Sequence, residues 1–338
     1  MTDYFRPLCQ TGPIRPEGAL ALAGGWAWCT HVEHLRRGHL PAVIPAAEVP
    51  AEVALALWTP RAPILGMTLD RPRLMGIVNV TPDSFSDGGQ FHDREAAVAH
   101  AMAMAGQGAD ILDIGGESTR PGSDTVETED EIARVVPVIA ALSAAGAPPV
   151  SIDTRKAAVA RAALDAGAGL VNDVAAFTHD PALAPLAAER RVPVCLMHAK
   201  GDPKTMQDDP RYDDVLLDVY DFLAERVAMA EAAGIPRAQV VVDPGIGFGK
   251  TVAHNLALLR GLSLFHGLGC PILLGASRKR FIGTLGHAPN PADRAPGSIA
   301  VALAAVQQGV QICRVHDMEQ TKQAVRLFSA ATHIGTAE

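Results

Sequence analysis

Polar and ionisable residues recur along this chain at the ends of short apolar runs. They are carboxylates, amides, hydroxyls, histidines and basic groups, in the order Asn79, Asp113, Glu117, Asp153, Asn172, His198, Asp243, Ser277, Lys279, Arg314 and His316. Such groups can hold a small ligand through hydrogen bonds and charge. No convincing Ser-His-Asp or Cys-His arrangement for a covalent nucleophile accompanies them in the sequence. The pattern therefore favours binding and electrostatic catalysis.

Each of these residues, taken alone, also has a purely structural explanation. Asp153 could cap the helix that follows it, and Asp243 before Pro244 could begin a turn. Eight successive coincidences are much harder to explain in this way. If the apolar runs are parallel strands of one barrel, their carboxyl ends meet at one shared mouth. The series therefore predicts a single active site.

The apolar runs have the length and composition of buried parallel strands. The predicted strands are Leu74–Asn79, Ile111–Ile114, Val150–Ile152, Leu170–Asn172, Val194–Met197, Val240–Val242, Ile272–Leu274 and Ile312–Val315. Alanine-rich stretches with apolar residues three and four positions apart predict helices between them. These helices are Arg94–Gly106, Glu129–Ala145, Lys156–Ala166, Ala182–Arg190, Val215–Ala233, Ala253–Leu259, Asp293–Gln308 and Asp317–Phe328.

Eight strand–helix units are the number that closes a barrel. The predicted fold is α/β, a (β/α)8 TIM barrel over residues 71–338, with an N-terminal extension of unknown role over residues 1–70. A doubly wound open sheet is the alternative. That fold usually has a glycine-rich phosphate turn after its first strand, whereas Gly76 lies inside the strand here.

Composition and charge argue against several classes of protein. The formal net charge of -8 disfavours broad binding to nucleic acid. No apolar run is long enough to span a bilayer, and the sequence from Met1 to Tyr4 lacks the features of a signal peptide. The five cysteines include no C-x-x-C pair, so free thiols are expected. We therefore expect a cytoplasmic protein with no nucleic-acid or membrane partner.

Two long segments at the strand ends resemble signatures of the dihydropteroate synthase family of pterin-binding enzymes. They are Gly76–Gly89, which reads GIVNVTPDSFSDGG, and Asp113–Gly122, which reads DIGGESTRPG. Shorter matches follow in the family's order: Ser151–Thr154, Asn172–Asp173, Met197–His198, Asp243–Lys250, Ser277–Lys279 and Arg314–Asp317. The resemblance spans about Leu74 to Phe328, and this many ordered motifs are far more specific than a single glycine motif.

The resemblance implies two substrates, 7,8-dihydropterin-6-ylmethyl diphosphate and 4-aminobenzoate. The family joins them with release of pyrophosphate in the biosynthesis of folate. An enzyme of this kind is a transferase that uses Mg²⁺, is commonly a homodimer and is a target of sulfonamide-type aminobenzoate mimics. The implied catalytic residues are Asp153, Lys279 and Arg120.

The other implied roles follow the parts of the two substrates. The pterin is assigned to Asp153, Asn172, Met197, Asp243 and Lys279. The diphosphate is assigned to Asn79, Thr119, Arg120, Arg314 and His316, with Asn79 also the Mg²⁺ ligand. The aminobenzoate is assigned to Phe85, Thr119, Pro121, Phe248, Ser277 and Arg280. Two loops, Asp83–Gly89 and Ser118–Gly122, are expected to cover the site.

The chain departs from the family pattern at two places. The fifth strand end reads Met197-His198-Ala199-Lys200-Gly201, where many relatives have Met-Gln at the middle pair. Position 280 is Arg280, where many relatives have a serine beside the lysine. The second departure falls at the expected aminobenzoate carboxylate site.

Three other functions are weighed against this one. A pterin-dependent methyltransferase shares the pterin pocket but has no use for the motif Ser118–Pro121 or for an anion site at Arg314 and His316. A catalytically silent pterin-binding protein would lose the anion and loop groups, which are retained here. A nucleotide-binding oxidoreductase is disfavoured because the G-x-G-x-x-G turn is absent.

Overall fold

The chain begins with a small β-rich extension. The computed structural model describes residues 2–80, 89–118, 123, 125–201 and 205–332. The elements of the extension are β1 (Asp3–Pro7), β2 (Leu20–Ala21), β3 (Trp28–Cys29), β4 (His31–Arg36), β5 (Ala42–Pro45) and the helix α1 (Ala51–Trp58). They form an antiparallel sheet of order β1–β4–β5 and a two-stranded sheet of β2 and β3.

Eight parallel strands form the centre of the fold. They are β6 (Arg73–Asn79), β7 (Ile111–Gly115), β8 (Val150–Asp153), β9 (Leu170–Asp173), β10 (Val194–Met197), β11 (Val240–Asp243), β12 (Leu273–Leu274) and β13 (Ile312–Val315). Their order in the sheet is β11–β10–β9–β8–β7–β6–β13–β12. A parallel bridge between Val242 and Ile272 joins the two ends of this order. The predicted barrel is confirmed, and the open-sheet alternative is wrong.

Helices surround the strands and match the predicted ones to within a few residues, with one addition. They are α2 (Gly89–Gly106), α3 (Thr128–Ala144), α4 (Ala157–Asp165), α5 (Leu183–Arg190), α6 (Val215–Ala232), α7 (Val252–Arg260), α8 (Arg280–Leu285), α9 (Ala295–Gln307) and α10 (Met318–Thr332). The unpredicted helix is α8, which is too short to show a helical period. None of the described helices is long and apolar enough to cross a membrane. All five cysteines are free thiols, as predicted.

The lower end of the barrel is closed by the segment that precedes β6. Side chains alternate along a strand, so one set faces the surrounding helices and the other faces the interior. The lower interior layer consists of Met75, Ile111, Leu170, Cys195, Val241, Leu273 and Ile312. Ile64 and Leu69 pack against this layer and are almost completely buried. The last residues of the extension therefore complete the core of the barrel.

The rest of the extension packs on the outside of the barrel. The indole nitrogen of Trp26 donates to the carbonyl of Val306 at 2.7 Å, near the end of α9. Arg37 forms ion pairs with Asp218 at 2.6 Å and Asp221 at 2.7 Å, both on α6. Trp28 instead donates within the extension, to the carbonyl of Gly12. These contacts support a stabilising role, and the boundary near residue 70 stays a prediction.

Deleting residues 1–70 is expected to destabilise the protein much more than deleting residues 1–61. The longer deletion removes Ile64 and Leu69 and exposes the lower interior layer to water. Burial of two such side chains is worth roughly 3–6 kcal/mol. Urea unfolding of both truncated proteins and the full chain measures the difference. Equal free energies of unfolding for the two deletions would show that the segment does not close the barrel.

Candidate active site

The strand ends bring the predicted polar residues together at one face of the barrel. Because Met75 and Ile111 face the interior, Asn79 and Asp113 on the same strands also face inward. Strand pairing places Asp153 beside Asn172 and Met197 beside Asp243. The residues that share this inward-facing mouth are Asn79, Asp113, Asp153, Asn172, Met197, Asp243 and Arg314.

Arg314 lies between two buried carboxylates. Its Nε donates to Oδ2 of Asp113 at 2.6 Å, and its Nη2 donates to Oδ2 of Asp153 at 2.8 Å. Nδ2 of Asn172 donates to the same Asp113 oxygen at 3.0 Å. Burial lowers the pKa of Arg314, but the two carboxylates more than offset this and raise it. The cluster of Arg314, Asp113 and Asp153 thus holds one positive charge between two acidic groups.

Asp153 has an unusually high pKa for a carboxyl group. Burial raises its pKa to about 7, the negative charge of Asp113 adds to the effect, and Arg314 opposes it. Oδ1 of Asp153 and Oδ1 of Asp113 are buried and have no hydrogen-bond partner among the described residues. Because an unpaired buried acceptor is unfavourable, these two oxygens are suited to accept hydrogen bonds from a ligand.

Asp243 lies on the opposite part of the mouth, close to two lysines. Its Oδ1 accepts a hydrogen bond from the backbone nitrogen of Gly245 at 2.7 Å. Burial raises the pKa of Asp243, while the Gly245 hydrogen bond and the charges of Lys279 and Lys250 oppose the rise. The ammonium of Lys279 lies 3.8 Å from the centre of the Phe248 ring. The structure therefore brings together Asp243 and Lys279, predicted for the pterin, and Phe248, predicted for the aminobenzoate.

An apolar wall adjoins these charged groups. Met197, Met206 and Phe248 form a buried cluster, and Val174 and Ala199 pack against it. The two thioethers and the phenyl ring of this cluster can cover the face of a flat heterocycle, since sulfur and aromatic carbon are both polarisable. Met197, predicted to contact the pterin, thus lies against Phe248. Sequence analysis assigns no role to Met206.

Ser277 and His316 are joined by hydrogen bonds across neighbouring loops. Oγ of Ser277 accepts from the backbone nitrogen of His316 at 3.2 Å and lies 3.0 Å from its Nδ1. In the same loops, Arg278 forms an ion pair with Asp317. Arg280 begins α8 and its side chain is exposed. The loops after β12 and β13 are therefore held to each other, with the predicted anion and aminobenzoate residues on them.

Four predicted site residues lie outside the described part of the chain. They are Phe85, Thr119, Arg120 and Pro121. Most of the two expected covering loops also lies outside it. The assignments of these four residues stay predictions.

Comparison with known proteins identifies the family of this chain. A sequence profile of the pterin binding enzymes matches residues 75–316. The dihydropteroate synthase of Escherichia coli (strain K12) is 46% identical over 264 residues, which cover 78% of this chain and 93% of that relative. The chain belongs to the dihydropteroate synthase family.

Solved structures of the family have the same barrel. A dihydropteroate synthase of Xanthomonas albilineans with 4-aminobenzoic acid is 50% identical, with a TM-score of 0.77 over 82% of this chain and 99% of its own. The enzyme of the same organism in complex with 7,8-dihydropteroate is 48% identical, with a TM-score of 0.73 over 80% and 97%. The mouth described above is therefore built on the backbone of this family.

Two charged residues of the site have no role in the sequence analysis. The sequence predicts Asp113 only as a strand-end residue, yet it is the partner of both Arg314 and Asn172. Its position two residues after the inward-facing Ile111 is the signal that indicates an inward carboxylate. Lys250 ends the motif that begins at Asp243, and it is almost fully buried. No local pattern distinguishes a buried lysine from an exposed one.

Proposed function

We propose that this protein is a dihydropteroate synthase, a transferase of folate biosynthesis. It condenses 7,8-dihydropterin-6-ylmethyl diphosphate with 4-aminobenzoate to give 7,8-dihydropteroate and pyrophosphate. The observation that carries the proposal is the convergence of Asp153, Asn172 and Asp243 at the mouth of a barrel whose relatives bear that name. A methyltransferase is disfavoured because the relatives at this level of identity are synthases.

Pterin recognition is assigned to Asp243 and Lys279 on one side of the mouth and to Asp153 and Asn172 on the other. A carboxylate can accept two N–H groups of the 2-amino-4-oxo edge, and Asp243 is the residue proposed for this. Lys279 donates to the carbonyl oxygen and the neighbouring ring nitrogen. Asn172 donates its Nδ2 to Asp113, so its amide oxygen remains to accept a ring N–H group. Asp153 accepts from the other side of the ring, and Met197 covers a face.

The diphosphate is assigned to Asn79, Arg314 and His316, with Thr119 and Arg120 from the second loop. Arg314 already carries a positive charge in the mouth, and His316 lies two residues before α10, whose first backbone N–H groups favour anions. Asn79 is an inward residue at the end of β6 and offers one neutral oxygen. That donor fits Mg²⁺, which prefers oxygen ligands and keeps several waters. When bound, Mg²⁺ would neutralise charge on the diphosphate.

The aminobenzoate is assigned to the side of the mouth that holds Phe248 and Ser277. Phe248 offers an apolar face, and Phe85 and Pro121 are proposed as the other walls. Ser277 and Thr119 supply hydroxyl groups. Arg280, exposed at the start of α8, is proposed to pair with the substrate carboxylate in place of the serine found in many relatives. Sulfonamide-type mimics would compete for the same place.

The reaction is proposed to begin with cleavage of the bond between the methylene carbon and the diphosphate oxygen. The electron pair leaves with pyrophosphate, and the positive charge spreads over the dihydropterin ring. The ionised carboxylate of Asp153 stabilises that charge. The amine of 4-aminobenzoate then forms the new carbon–nitrogen bond and loses a proton. The amine is neutral before attack, so the route needs no strong general base.

Activity is expected to rise with pH through about 7 because Asp153 must be ionised, and its pKa is raised to about 7. Stability should change with pH in the opposite direction to activity. The ordinary pKa of this carboxyl group is 3.8, and it is raised to about 7 in the folded protein. The free energy of unfolding should therefore fall as the pH rises between these two values. The pH profile of kcat/KM, which reports the ionisations of the free enzyme, tests this with Asp153→Asn as the control. An unchanged profile in that variant would assign the inflection to another group.

A pyrophosphate-release assay with each substrate omitted in turn tests the proposed function. Release is expected only when both the pterin diphosphate and 4-aminobenzoate are present, with 7,8-dihydropteroate as the product. Release of pyrophosphate with water as the acceptor, at the same rate and without aminobenzoate, would make the protein a hydrolase. Transfer of a methyl group instead would support the methyltransferase.

We also propose that the protein is a homodimer. The exposed positions of α9 include the apolar residues Pro296, Ala300 and Ala304. Leu285, the last residue of α8, and Leu327 on α10 expose 51% and 67% of their surface, and both helices contact α9. A face of this kind is typical of a protein interface. Sedimentation equilibrium, with Leu327→Glu as the disrupting variant, tests the dimer.

A further inference from the structure

Lys250 is a buried lysine that the proposed reaction does not use. Only 3% of its surface is exposed. Its Nζ lies 2.8 Å from Nδ1 of His198, 2.9 Å from the carbonyl oxygen of Gly245 and 3.0 Å from that of Phe248. The carbonyl oxygen of His198 is a fourth neighbour at 3.3 Å. All four atoms are uncharged acceptors.

The arrangement suits an ammonium ion. An ammonium has three N–H donors, and three acceptors lie within 3.0 Å. Because an ammonium only donates, Nδ1 of His198 must accept, so the imidazole is neutral. Burial and the nearby charge of Lys250 lower the pKa of His198 to about 2, which agrees with a neutral ring. Burial lowers the pKa of Lys250, and the negative charge of Asp243 opposes this change. A neutral amine would fit the same three contacts only if Nδ1 of His198 carried the proton and donated to it.

These contacts close a turn that we define as residues 243–250. Gly245 and Gly249 have left-handed backbone angles, with φ of +67° and +61°. A Cβ atom on Gly245 would lie 1.8 Å from the carbonyl oxygen of His198, and one on Gly249 would lie 2.3 Å from that of Lys200. The turn is therefore pressed against the segment after β10. The carbonyl groups of Gly245 and Phe248 accept hydrogen bonds from Lys250, whereas those of Gly247 and Gly249 accept from Gln207 and Tyr212.

The turn carries two of the proposed substrate contacts. Asp243 begins it, accepts from the backbone nitrogen of Gly245, and accepts at its own carbonyl from the backbone of His198 at 2.9 Å. Phe248 lies near its end, beneath the ammonium of Lys279. Lys250 thus binds the carbonyl oxygen of Gly245, two residues after Asp243, and the carbonyl oxygen of Phe248 itself.

We propose that Lys250 is a positioning residue, whose ammonium organises the turn as a bound cation would and so presents Asp243 and Phe248 to the substrates. The inference rests on the proposed function for the identity of those substrates. The organisation of the turn itself needs no substrate. Loss of the charge should therefore change the turn in the free protein as well as ligand binding.

Hydrogen exchange in the free protein gives the first test. In Lys250→Met, which keeps the length of the side chain, amide exchange in residues 243–250 should rise by roughly tenfold or more, with no change in β6. Lys322→Met is the matched control, because Lys322 lies on α10 and pairs weakly with Asp110 at 3.7 Å. Unchanged exchange of the turn in folded Lys250→Met would overturn the proposal.

Ligand binding and chemical rescue give the second test. Calorimetry with 6-hydroxymethyl-7,8-dihydropterin should show roughly 10- to 100-fold weaker binding by Lys250→Met. In Lys250→Ala, propylammonium chloride should restore most of the affinity, whereas 1-propanol should not. Equal rescue by propylammonium and 1-propanol would show that filling the cavity, and not the positive charge, restores pterin binding. Failure of both Lys250 variants to fold, even with propylammonium, would make Lys250 a general core residue and also overturn the proposal.

The two hypotheses fail in different ways. If the wild-type protein bound no pterin, the proposed function would be wrong, while the exchange of residues 243–250 would still report on Lys250. If the wild-type protein released pyrophosphate normally and Lys250→Met had unchanged pterin affinity, only the positioning role would be wrong.

Discussion

Replacing Asp243 with alanine is expected to abolish measurable pterin binding while the barrel stays folded. Asp243 is buried, and it is the carboxylate proposed to accept two N–H groups of the pterin. Loss of a charged, two-point hydrogen bond weakens binding by about 2–5 kcal/mol. Calorimetry with 6-hydroxymethyl-7,8-dihydropterin measures the loss, and circular dichroism verifies the fold.

Two further variants make this result specific. Asp243→Asn keeps the oxygen that accepts from Gly245, so it should retain the turn and lose only part of the affinity. Asp165→Ala removes a carboxylate from an exposed ion pair with Arg190, at 2.6 Å, and should have no effect. Tight pterin binding by a folded Asp243→Ala protein would exclude Asp243 from the pterin site.

Replacing Arg314 with alanine is expected to lower both stability and affinity for the diphosphate substrate. The change leaves Asp113 and Asp153 buried without their shared cation, and breaking such a pair costs about 3–5 kcal/mol. The pterin diphosphate should lose more affinity than the pterin alcohol, by about 1.5–3 kcal/mol, because Arg314 is proposed to contact the diphosphate. Urea unfolding and calorimetry with both ligands give the two quantities.

Adding Asp113→Asn to the Arg314 variant separates these two effects. The second change removes one buried carboxylate charge, so the double variant should regain a large part of the stability lost by Arg314→Ala. It should not regain affinity for the diphosphate. Equal losses for the diphosphate and the alcohol in Arg314→Ala would instead restrict Arg314 to pairing with Asp113 and Asp153.

The barrel and the membership of its mouth could be predicted from local features of the sequence. The strands are runs of apolar residues, and the helices have apolar residues three and four positions apart, so the type of each element depends on neighbours along the chain. The parallel order of eight such units then places all strand ends at one face. Asp153, Asn172 and Asp243 share the mouth for this reason, and the strand register pairs Asp153 with Asn172 and Asp243 with Met197.

The partners of the charged groups were decided by the tertiary structure. Arg314 is separated by 201 residues from Asp113 and by 161 residues from Asp153, and no local propensity links them. Their contact follows from the register of the closed sheet, which sets which inward side chains lie at the same level. The short helix α8 and the closure of the barrel by Ile64 and Leu69 likewise depend on packing, which provides no periodic signal.

Within the motif from Asp243 to Lys250, the turn could be predicted from the sequence and the burial of the lysine could not. The glycines between Asp243 and Lys250 predict a tight turn, since glycine tolerates left-handed angles. The sequence does not indicate that the lysine at its end is buried. Burial follows because the turn folds back on His198, so that inward carbonyl groups surround Nζ. Types and order of residues thus determined the fold and the chemistry available, whereas long-range packing decided which charges meet and which are removed from water.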